Sequence, residues 1–208
     1  MKFLVADDHA IVRKGLAQIL CDEFPSAIVK EVSNSQEVIE ESQKETWDVI
    51  LLDISMPGRN GIETLKQIRS DGVKTPILML SMHSEDQYAI RVLKAGASGF
   101  LNKETATDEL LVAVRKVLSG RKYISATVAE KLAEAVGEGE EKPAYELLSD
   151  REMQVLLHIA SGKTVSEIGD ELSLSVNTIS TYRSRILEKL NLSNNAELTR
   201  YALDNNLV

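Results

Sequence analysis

The segment from residue 49 to residue 61, VILLDISMPGRNG, constrains the fold of this chain more than any other. Four apolar residues, Val49 to Leu52, lead directly into Asp53, and a turn that contains proline and glycine follows. A continuous apolar run bounded by turn residues is typical of a strand buried in a parallel sheet. The pattern therefore predicts Asp53 at the carboxyl end of a strand, the edge where open α/β sheets bind ligands.

The order of strand and helix around Asp53 recurs five times before about residue 120. In each unit a short apolar run precedes a segment whose apolar residues have helical spacing. This predicts an α/β domain with a five-stranded parallel sheet, doubly wound and flavodoxin-like, whose last helix begins at a capping box of Thr105 and Asp108. The predicted strands are 2–6, 27–32, 48–52, 76–80 and 99–101, and the predicted helices are 10–20, 36–44, 62–70, 85–94 and 108–118.

Polar side chains follow four of the five predicted strands. Asp7 and Asp8 follow the first, Asp53 the third, Ser81 the fourth and Lys103 the fifth. Each has an ordinary explanation alone, because an acid can cap a helix and a surface lysine is usually solvated. Independent surface residues would not all fall at strand ends, however. We therefore expect these five side chains to meet at one edge of the sheet.

Three carboxylates at one edge predict a site for a cation, because carboxylates packed together raise each other's pKa unless a positive charge lies among them. Mg²⁺ suits such a site, since it binds through one or two carboxylates and a phosphate and keeps several waters. A carboxylate beside that ion can attack phosphorus and form an aspartyl phosphate. Lys103 would neutralise the phosphoryl oxygens and Ser81 would donate a hydrogen bond to one of them.

Residues 1–120 resemble the receiver domain of two-component response regulators. The resemblance implies that a sensor histidine kinase phosphorylates Asp53, that Asp8 binds Mg²⁺ directly and Asp7 indirectly or through water, and that the backbone carbonyl of Ser55 is a further ligand. The residues that carry the resemblance are Asp7, Asp8, Asp53, Met56, Pro57, Gly61, Ser81 and Lys103.

The same resemblance implies a switch formed by Ser81 and Phe100. In receivers the hydroxyl residue is drawn toward the phosphoryl group, and the aromatic residue turns inward into the vacated space. One departure is visible, because Glu104 follows Lys103 where many receivers have proline.

Residues 148–208 are predicted to form a small all-α domain of four helices. Ser149 and Glu152 have the spacing of a capping box at the start of the first helix. The second and third helices are joined by a short turn, as in a helix-turn-helix, whose second helix can enter the DNA major groove. The predicted helices are 148–161, 164–172, 176–190 and 195–205.

The third of these helices has an inward face of Ile179, Tyr182, Ile186 and Leu190 and a polar face opposite. Arg183 falls on the inward side of the helical wheel, so its stem is expected to pack while the guanidinium reaches a phosphate. Because the whole chain has a net charge of −8, DNA must be bound by a local patch. The predicted DNA contacts are Asn177, Thr178, Ser180, Thr181, Arg183, Ser184, Arg185 and Lys189.

The second domain resembles the LuxR-type DNA-binding domain through the pattern from LSDREMQVLL to TYRSRILEKLNL. With the receiver, this identifies the chain as a NarL/LuxR-type response regulator. Phosphorylation would then control sequence-specific binding to promoter DNA, with a homodimer on two half-sites. Ser180 stands where many members carry lysine, so the target sequence does not follow by analogy.

An acidic linker with a partial helix is predicted over 121–147, between these two domains. Helical character over 124–136 gives way to the sequence GEGEEKP, in which acidic residues predominate and regular structure is broken.

Three other functions would each use part of this sequence. A phosphohydrolase could use Asp53, but comparable enzymes place a second acid two residues after the nucleophile, where this chain has Ser55. A nucleotide-binding switch would need a glycine-rich loop ending in Lys-Ser or Lys-Thr, and the sequence has none after a predicted strand. The third is an adaptor whose helix-turn-helix binds protein, which the acidic second domain would suit. We expect no enzyme activity beyond Mg²⁺-dependent self-dephosphorylation.

The chain is expected to be a cytoplasmic protein that does not contact a membrane. No apolar stretch approaches the roughly 20 residues of a membrane span, and the N-terminus lacks a signal-peptide pattern. Cys21 is the sole cysteine, so no intramolecular disulfide can form.

Overall fold

The structure is a computed structural model that describes residues 1–56, 59–82, 85–125, 128–129, 143–205 and 207–208. Its internal contacts divide the chain into two units, Met1–Gly137 and Glu138–Val208. Most of the predicted linker helix 124–136 and the acidic segment after it lie outside the described residues. Among the helices that are described, none combines the length and the apolar character needed to cross a membrane.

The first unit contains one five-stranded parallel sheet in the order β2-β1-β3-β4-β5. Strands and helices alternate, so the predicted flavodoxin-like α/β fold is confirmed. The strands are β1 Lys2–Ala6, β2 Ile28–Val32, β3 Val49–Asp53, β4 Ile77–Ser81 and β5 Gly99–Asn102, and the helices are α1 Ala10–Glu23, α2 Ser35–Lys44, α3 Gly61–Ser70, α4 Glu85–Lys94 and α5 Ala106–Leu118.

The burial of each strand follows from its place in the sheet. β3 and β4 lie in the interior of the sheet and are buried along their whole length, whereas β2 lies at an edge and is mostly exposed. At the other edge, the amide of Tyr123 donates to the carbonyl of Ser98, and Tyr123 pairs with Gly99. The continuous apolar run that ends at Asp53 is thus explained by a strand with neighbours on both sides.

Side-chain caps decide where several helices of the first unit begin. Asn34 accepts a hydrogen bond from the Glu37 amide and starts α2, and Asn60 does the same for Ile62 at the start of α3. The predicted capping box at Thr105 is wrong, because the Thr105 side chain makes no capping hydrogen bond. Instead, its hydroxyl group points back to the Asn102 carbonyl, so α5 begins without a side-chain cap.

Within its described residues, 143–205 and 207–208, the second unit has a short 3₁₀ turn, Ala144–Leu147, and four helices. The predicted capping box of Ser149 and Glu152 is confirmed at the start of the first helix. Ser173 ends the second helix in the left-handed conformation, which creates the tight turn of the predicted helix-turn-helix. The helices are α6 Asp150–Ala160, α7 Val165–Leu172, α8 Val176–Leu190 and α9 Asn195–Asp204.

Candidate functional site

Three carboxylates lie at the carboxyl edge of the sheet, and we call Asp7, Asp8 and Asp53 the acidic cluster. The register pairs Ala6 with Leu52, so the residues that follow them come side by side. Asp7 and Asp53 are almost completely buried, while Asp8 is half-buried. Oδ2 of Asp7, Oδ1 of Asp8 and both carboxylate oxygens of Asp53 are buried without a well-aligned hydrogen bond.

Lys103 reaches the acidic cluster from the loop after β5. Its Nζ lies 2.7 Å from Oδ2 of Asp7 and 2.9 Å from Oδ2 of Asp53, and its side chain is buried. The backbone amide of Lys103 donates to the carbonyl of Ser81, which fastens the loop to the end of β4. The structure thus brings Lys103 together with two acids that are far from it in sequence.

The electrostatics of the site follow from this burial. Burial raises the pKa of the Asp53 carboxyl to about 6; the charge of Lys103 opposes this shift and that of Asp7 adds to it. For Lys103, burial alone would lower the pKa of the ammonium, but Asp53 and Asp7 outweigh burial and raise that pKa. Lys103 is therefore charged at neutral pH.

The residues at this edge fit a hard divalent cation. Three carboxylates and one ammonium leave an excess of negative charge, and Oδ1 of Asp53 is buried without a well-aligned hydrogen bond while Lys103 pairs with Oδ2. One ligand atom each from Asp7, Asp8, His9 and Asp53 lie within 4.8 Å of one another. Oxygen donors at this spacing suit Mg²⁺.

Gly61 lies so close to the backbone of Asp53 and Ile54 that there is no room for a side chain at this position. A Cβ at this position would overlap the carbonyl oxygen of Asp53 and the main chain of Ile54. The amide of Gly61 also donates to the carbonyl of Ile54. The first residue of α3 therefore packs directly on the backbone of the candidate phosphoacceptor, which only glycine permits.

The remaining predicted receiver residues lie on β4, on β5 and directly after β3. Ser81 is fully buried at the end of β4. Phe100 is also buried, opposite Met79 in the sheet, so it occupies an inward position here. Ser55 follows β3, and its backbone amide stabilises the charged form of Asp53. Pro57, which belongs to the predicted turn, lies outside the described residues.

Two residues near the cluster escaped the sequence reasoning. His9 lies beside the acids, with Nδ1 2.7 Å from Oδ1 of Asp8. Arg13 donates one hydrogen bond of 2.6 Å to the carbonyl of Asp7 and another of 3.1 Å to Glu31 on the edge strand. The position of His9 directly after two acids was a usable signal, whereas the pairing of Arg13 with Glu31 depends on how α1 lies along β2.

Helix α8 separates its faces as the sequence predicts. Ile179 and Ile186 are fully buried, Leu190 is nearly so, and Tyr182 is half-buried. A shallow surface pocket is lined by Asn177, Thr178, Thr181, Tyr182 and Arg185. The predicted DNA contacts that are exposed are Asn177, Ser180, Thr181, Ser184, Arg185 and Lys189, while Thr178 and Arg183 are half-buried.

The three cations of α8 differ in what they already bind. Arg183 donates to the side chain of Asn195, at the start of α9. Lys189 lies 2.6 Å from the buried carboxylate of Glu152 and also donates to the Leu147 carbonyl. Arg185 forms no hydrogen bond or ion pair within the described part of the chain. Of the three, Arg185 is the cation that solvent or a ligand can reach without breaking an existing contact.

The hydroxyl groups on the exposed face of α8 are also partly engaged. Thr181 donates to the carbonyl of Asn177 at 2.9 Å, and Ser184 donates to that of Ser180 at 3.0 Å. In this conformation each hydroxyl offers a ligand only its acceptor lone pairs. The amide side chain of Asn177 can offer both donors and an acceptor.

Two family models match the chain, one in each unit. Residues 3–115 match the response regulator receiver domain, and residues 146–202 match the luxR family of bacterial regulatory proteins. The match to the receiver model contains the acidic cluster and Lys103, and the match to the luxR model contains α8.

Known proteins resemble the chain along almost its whole length. The response regulator UvrY of Escherichia coli strain K12 is 37% identical over 205 residues, which cover 98% of this chain and 94% of UvrY. The response regulator GacA of Pseudomonas aeruginosa is 32% identical over 209 residues, with 100% and 98% coverage. RcsB of Salmonella enterica serovar Typhimurium, solved on the rprA promoter with the phosphomimetic BeF₃⁻, superimposes with a TM-score of 0.61 at 28% identity, covering 97% of this chain and 98% of RcsB.

Proposed function

Because this chain belongs to the NarL/LuxR-type response regulators of two-component systems, we propose that Asp53 is its phosphoacceptor and that phosphorylation controls DNA binding by α8. The observation that carries the first part is the ammonium of Lys103, which lies within 3 Å of both Asp7 and Asp53 in a buried site. A phosphoryl group on Asp53 would find a positive charge already in position.

We propose that Asp8, Asp53 and the Ser55 carbonyl hold Mg²⁺, with Asp7 acting through water. The ion, when bound, would neutralise the phosphoryl oxygens during transfer. Asp53 supplies the nucleophile: a carboxylate oxygen attacks the phosphorus of a phosphohistidine on a sensor histidine kinase, and the nitrogen–phosphorus bond breaks. Arg13 keeps the loop that carries Asp7 and Asp8 in place, since it binds the Asp7 carbonyl.

Lys103 and Ser81 would then bind the phosphoryl oxygens, and Ser81 and Phe100 would act as the switch. Both side chains are buried on neighbouring strands, Ser81 at the end of β4 and Phe100 on β5, so a movement of one would require close-packed neighbours to repack. The protein is a phosphoacceptor under this proposal, and its only catalysis is Mg²⁺-dependent loss of its own phosphoryl group.

In the second unit, α8 is the proposed recognition helix. Arg185 supplies a phosphate contact, and Asn177, Thr178, Ser180, Thr181 and Ser184 face the base edges. Arg183 would reach DNA only by exchanging its contact with Asn195, and Lys189 only by leaving Glu152. The RcsB structure on promoter DNA supports this role for the corresponding domain.

One recognition helix reads too few base pairs for a unique site, so we propose that phosphorylation promotes a homodimer that binds two half-sites. Since its target is promoter DNA, the proposed location is the cytoplasm. A mass measurement by light scattering, with and without a phosphodonor, should show the dimer form on phosphorylation. A constant monomer at concentrations that support DNA binding would contradict it.

Asp53→Asn tests the phosphoacceptor directly. The purified variant should take up no label from acetyl phosphate with Mg²⁺, because the amide cannot attack phosphorus. Asp22→Asn, an exposed change on α1, should label like the wild type. Labelling of Asp53→Asn at the wild-type rate would show that another residue is the acceptor.

A gel-shift experiment with genomic fragments, with and without phosphodonor, tests the DNA-binding part. We expect specific shifts that strengthen on phosphorylation. The absence of a specific shift in either state would favour an adaptor whose second unit binds protein.

A further inference from the structure

His9 occupies the N-cap position of α1 without acting as a cap. This position favours Ser, Thr, Asp or Asn, whose side chains bind the free amides of the first helical turn. The His9 side chain makes no capping hydrogen bond. Only its backbone takes part, since the His9 carbonyl accepts from the Arg13 amide. Helix formation therefore does not explain the imidazole.

The imidazole turns toward the acidic cluster instead. Nδ1 lies 2.7 Å from Oδ1 of Asp8 and 3.4 Å from Oδ1 of Asp7. The His9 amide also donates to Oδ1 of Asp7 at 2.8 Å. Because the ring is about two-thirds exposed, it can adjust its position and can be reached by an ion from solvent.

We infer that His9 is an additional metal ligand, which gives this site an affinity for late first-row divalent ions such as Ni²⁺ and Zn²⁺ beyond that of its carboxylates alone. The inference rests on the proposed cation site. Oδ1 of Asp53 points to a cation there independently of His9, because it is buried without a well-aligned hydrogen bond and the Lys103 ammonium pairs with the other oxygen of this carboxylate. The ring nitrogen lies within 4.8 Å of a ligand atom from each of the three acids.

The geometry and the chemistry of the ions agree with this assignment. Two ligand atoms each about 2.1 Å from one ion can be at most about 4.2 Å apart, so a small rotation of the exposed ring suffices. Imidazole is a preferred ligand of Ni²⁺ and Zn²⁺, whereas Mg²⁺ prefers oxygen. His9 should therefore change which ion the site selects and leave Mg²⁺ binding almost unaltered.

Isothermal titration of the full chain with Ni²⁺ and, separately, with Mg²⁺ tests the inference. For His9→Ala and His9→Asn we expect the Ni²⁺ dissociation constant to rise about tenfold or more, and the Mg²⁺ constant to change less than about twofold. Asp8→Asn, the control, should weaken both ions. In the wild type, Zn²⁺ should shift the ¹⁵N resonance of the His9 Nδ1, which a purely structural role would leave unchanged.

Each alternative result has a distinct meaning. If the wild type binds Mg²⁺ and both His9 variants keep the wild-type Ni²⁺ affinity, the His9 assignment is wrong while the proposed function stands. If the variants lose both ions equally, His9 orients Asp8 and is not a ligand, which also overturns the assignment. If the wild type binds neither ion, both this inference and the proposed Mg²⁺ site fail.

Discussion

The two functional regions of this chain place their charged groups in opposite surroundings. At the sheet edge of the first unit, the buried Lys103 ammonium lies within 3 Å of a carboxylate oxygen of both Asp7 and Asp53, which are buried too. On α8 of the second unit, most of the polar side chains are exposed, and two of the three cations already bind partners inside the unit. The first region keeps its charges away from water, whereas the second presents them to it.

This difference has an energetic consequence. A buried charge that loses its partner keeps the full cost of desolvation, whereas an exposed charge that loses a partner is solvated instead. Substitutions in the first region should therefore affect folding and function together. Substitutions on the exposed face of α8 should affect DNA binding with little effect on folding.

Lys103→Met should have the largest effect. It leaves Asp7 and Asp53 buried together without their cation, a change that costs roughly 3–5 kcal/mol in other buried pairs. The buried Trp47 is the sole tryptophan of the chain, so its fluorescence reports the urea unfolding of the first unit. We expect a lower midpoint for the variant, partly restored by Mg²⁺.

Lys14→Met is the matched control, because Lys14 is exposed on α1. Its unfolding midpoint should remain at the wild-type value. An unchanged midpoint for Lys103→Met in metal-free buffer would mean that the Lys103 ammonium does not stabilise the folded first unit. The buried and the exposed charges would then not differ in their effect on folding.

Lys189→Met tests whether the ion pair between Lys189 of α8 and Glu152 of α6 stabilises the second unit. Lys189 neutralises the buried carboxylate of Glu152, which also completes the capping box of α6. Since Lys189 itself is partly exposed, we expect a loss of about 1–2 kcal/mol. Hydrogen exchange of α6 and α8 amides should accelerate, while that of the first unit stays constant. Unaltered exchange in α6 would mean that the ion pair contributes nothing to folding.

The same ion pair should make the second unit sensitive to acid. Burial tends to raise the pKa of Glu152, but hydrogen bonds from Lys189 and Ser149 outweigh burial and lower that pKa. A lowered pKa gives stability that is complete above the ordinary glutamate pKa and is lost as the pH falls through the lower folded value. Lys189→Met should flatten this dependence, as measured by hydrogen exchange across that pH range.

The buried region was the easier one to predict from sequence. Apolar runs that end in Asp7, Asp53 and Ser81 mark strand ends, and a parallel sheet brings strand ends to one edge whatever the details of packing. The inward face of α8 was predicted for a similar reason, since helical spacing alone separates Ile179 and Ile186 from the polar residues. In both cases a regular backbone converts the order of residues into a position in space.

The contacts that could not be predicted are those between side chains of different helices, strands and loops. Lys189 was predicted to contact DNA, and its ion pair with Glu152 was not foreseen, because Glu152 lies 37 residues away on α6. Thr105 has the spacing of a cap, yet the loop after β5 turns its hydroxyl toward Asn102. These outcomes are decided by loop geometry and by the packing of neighbouring helices, which hydrophobic periodicity does not encode.

Arg185→Ala should weaken DNA binding without affecting folding. The loss of one phosphate contact lowers affinity about fivefold at 0.15 M salt, and it reduces the slope of log affinity against log salt by about 0.9. Binding should be measured over a range of salt concentrations on specific and unrelated fragments. Arg200→Ala, an exposed change on α9, serves as the control. If Arg185→Ala keeps the salt slope of the wild type, Arg185 does not contact a phosphate.

The smallest effect is expected for Thr181→Val, a change of similar volume on the exposed face of α8. Because the Thr181 hydroxyl already donates to the carbonyl of Asn177, it can only accept a hydrogen bond from DNA, and its methyl group is retained in valine. We expect affinity for the best fragment to fall by less than about 0.5 kcal/mol, whereas Asn177→Ala should cost about 1–3 kcal/mol if its amide reads a base edge. A competition gel shift with both variants measures the difference. If Thr181→Val costs as much as Asn177→Ala, the hydroxyl leaves the helix backbone when DNA binds, and the exposed face of α8 rearranges more than its hydrogen bonds indicate.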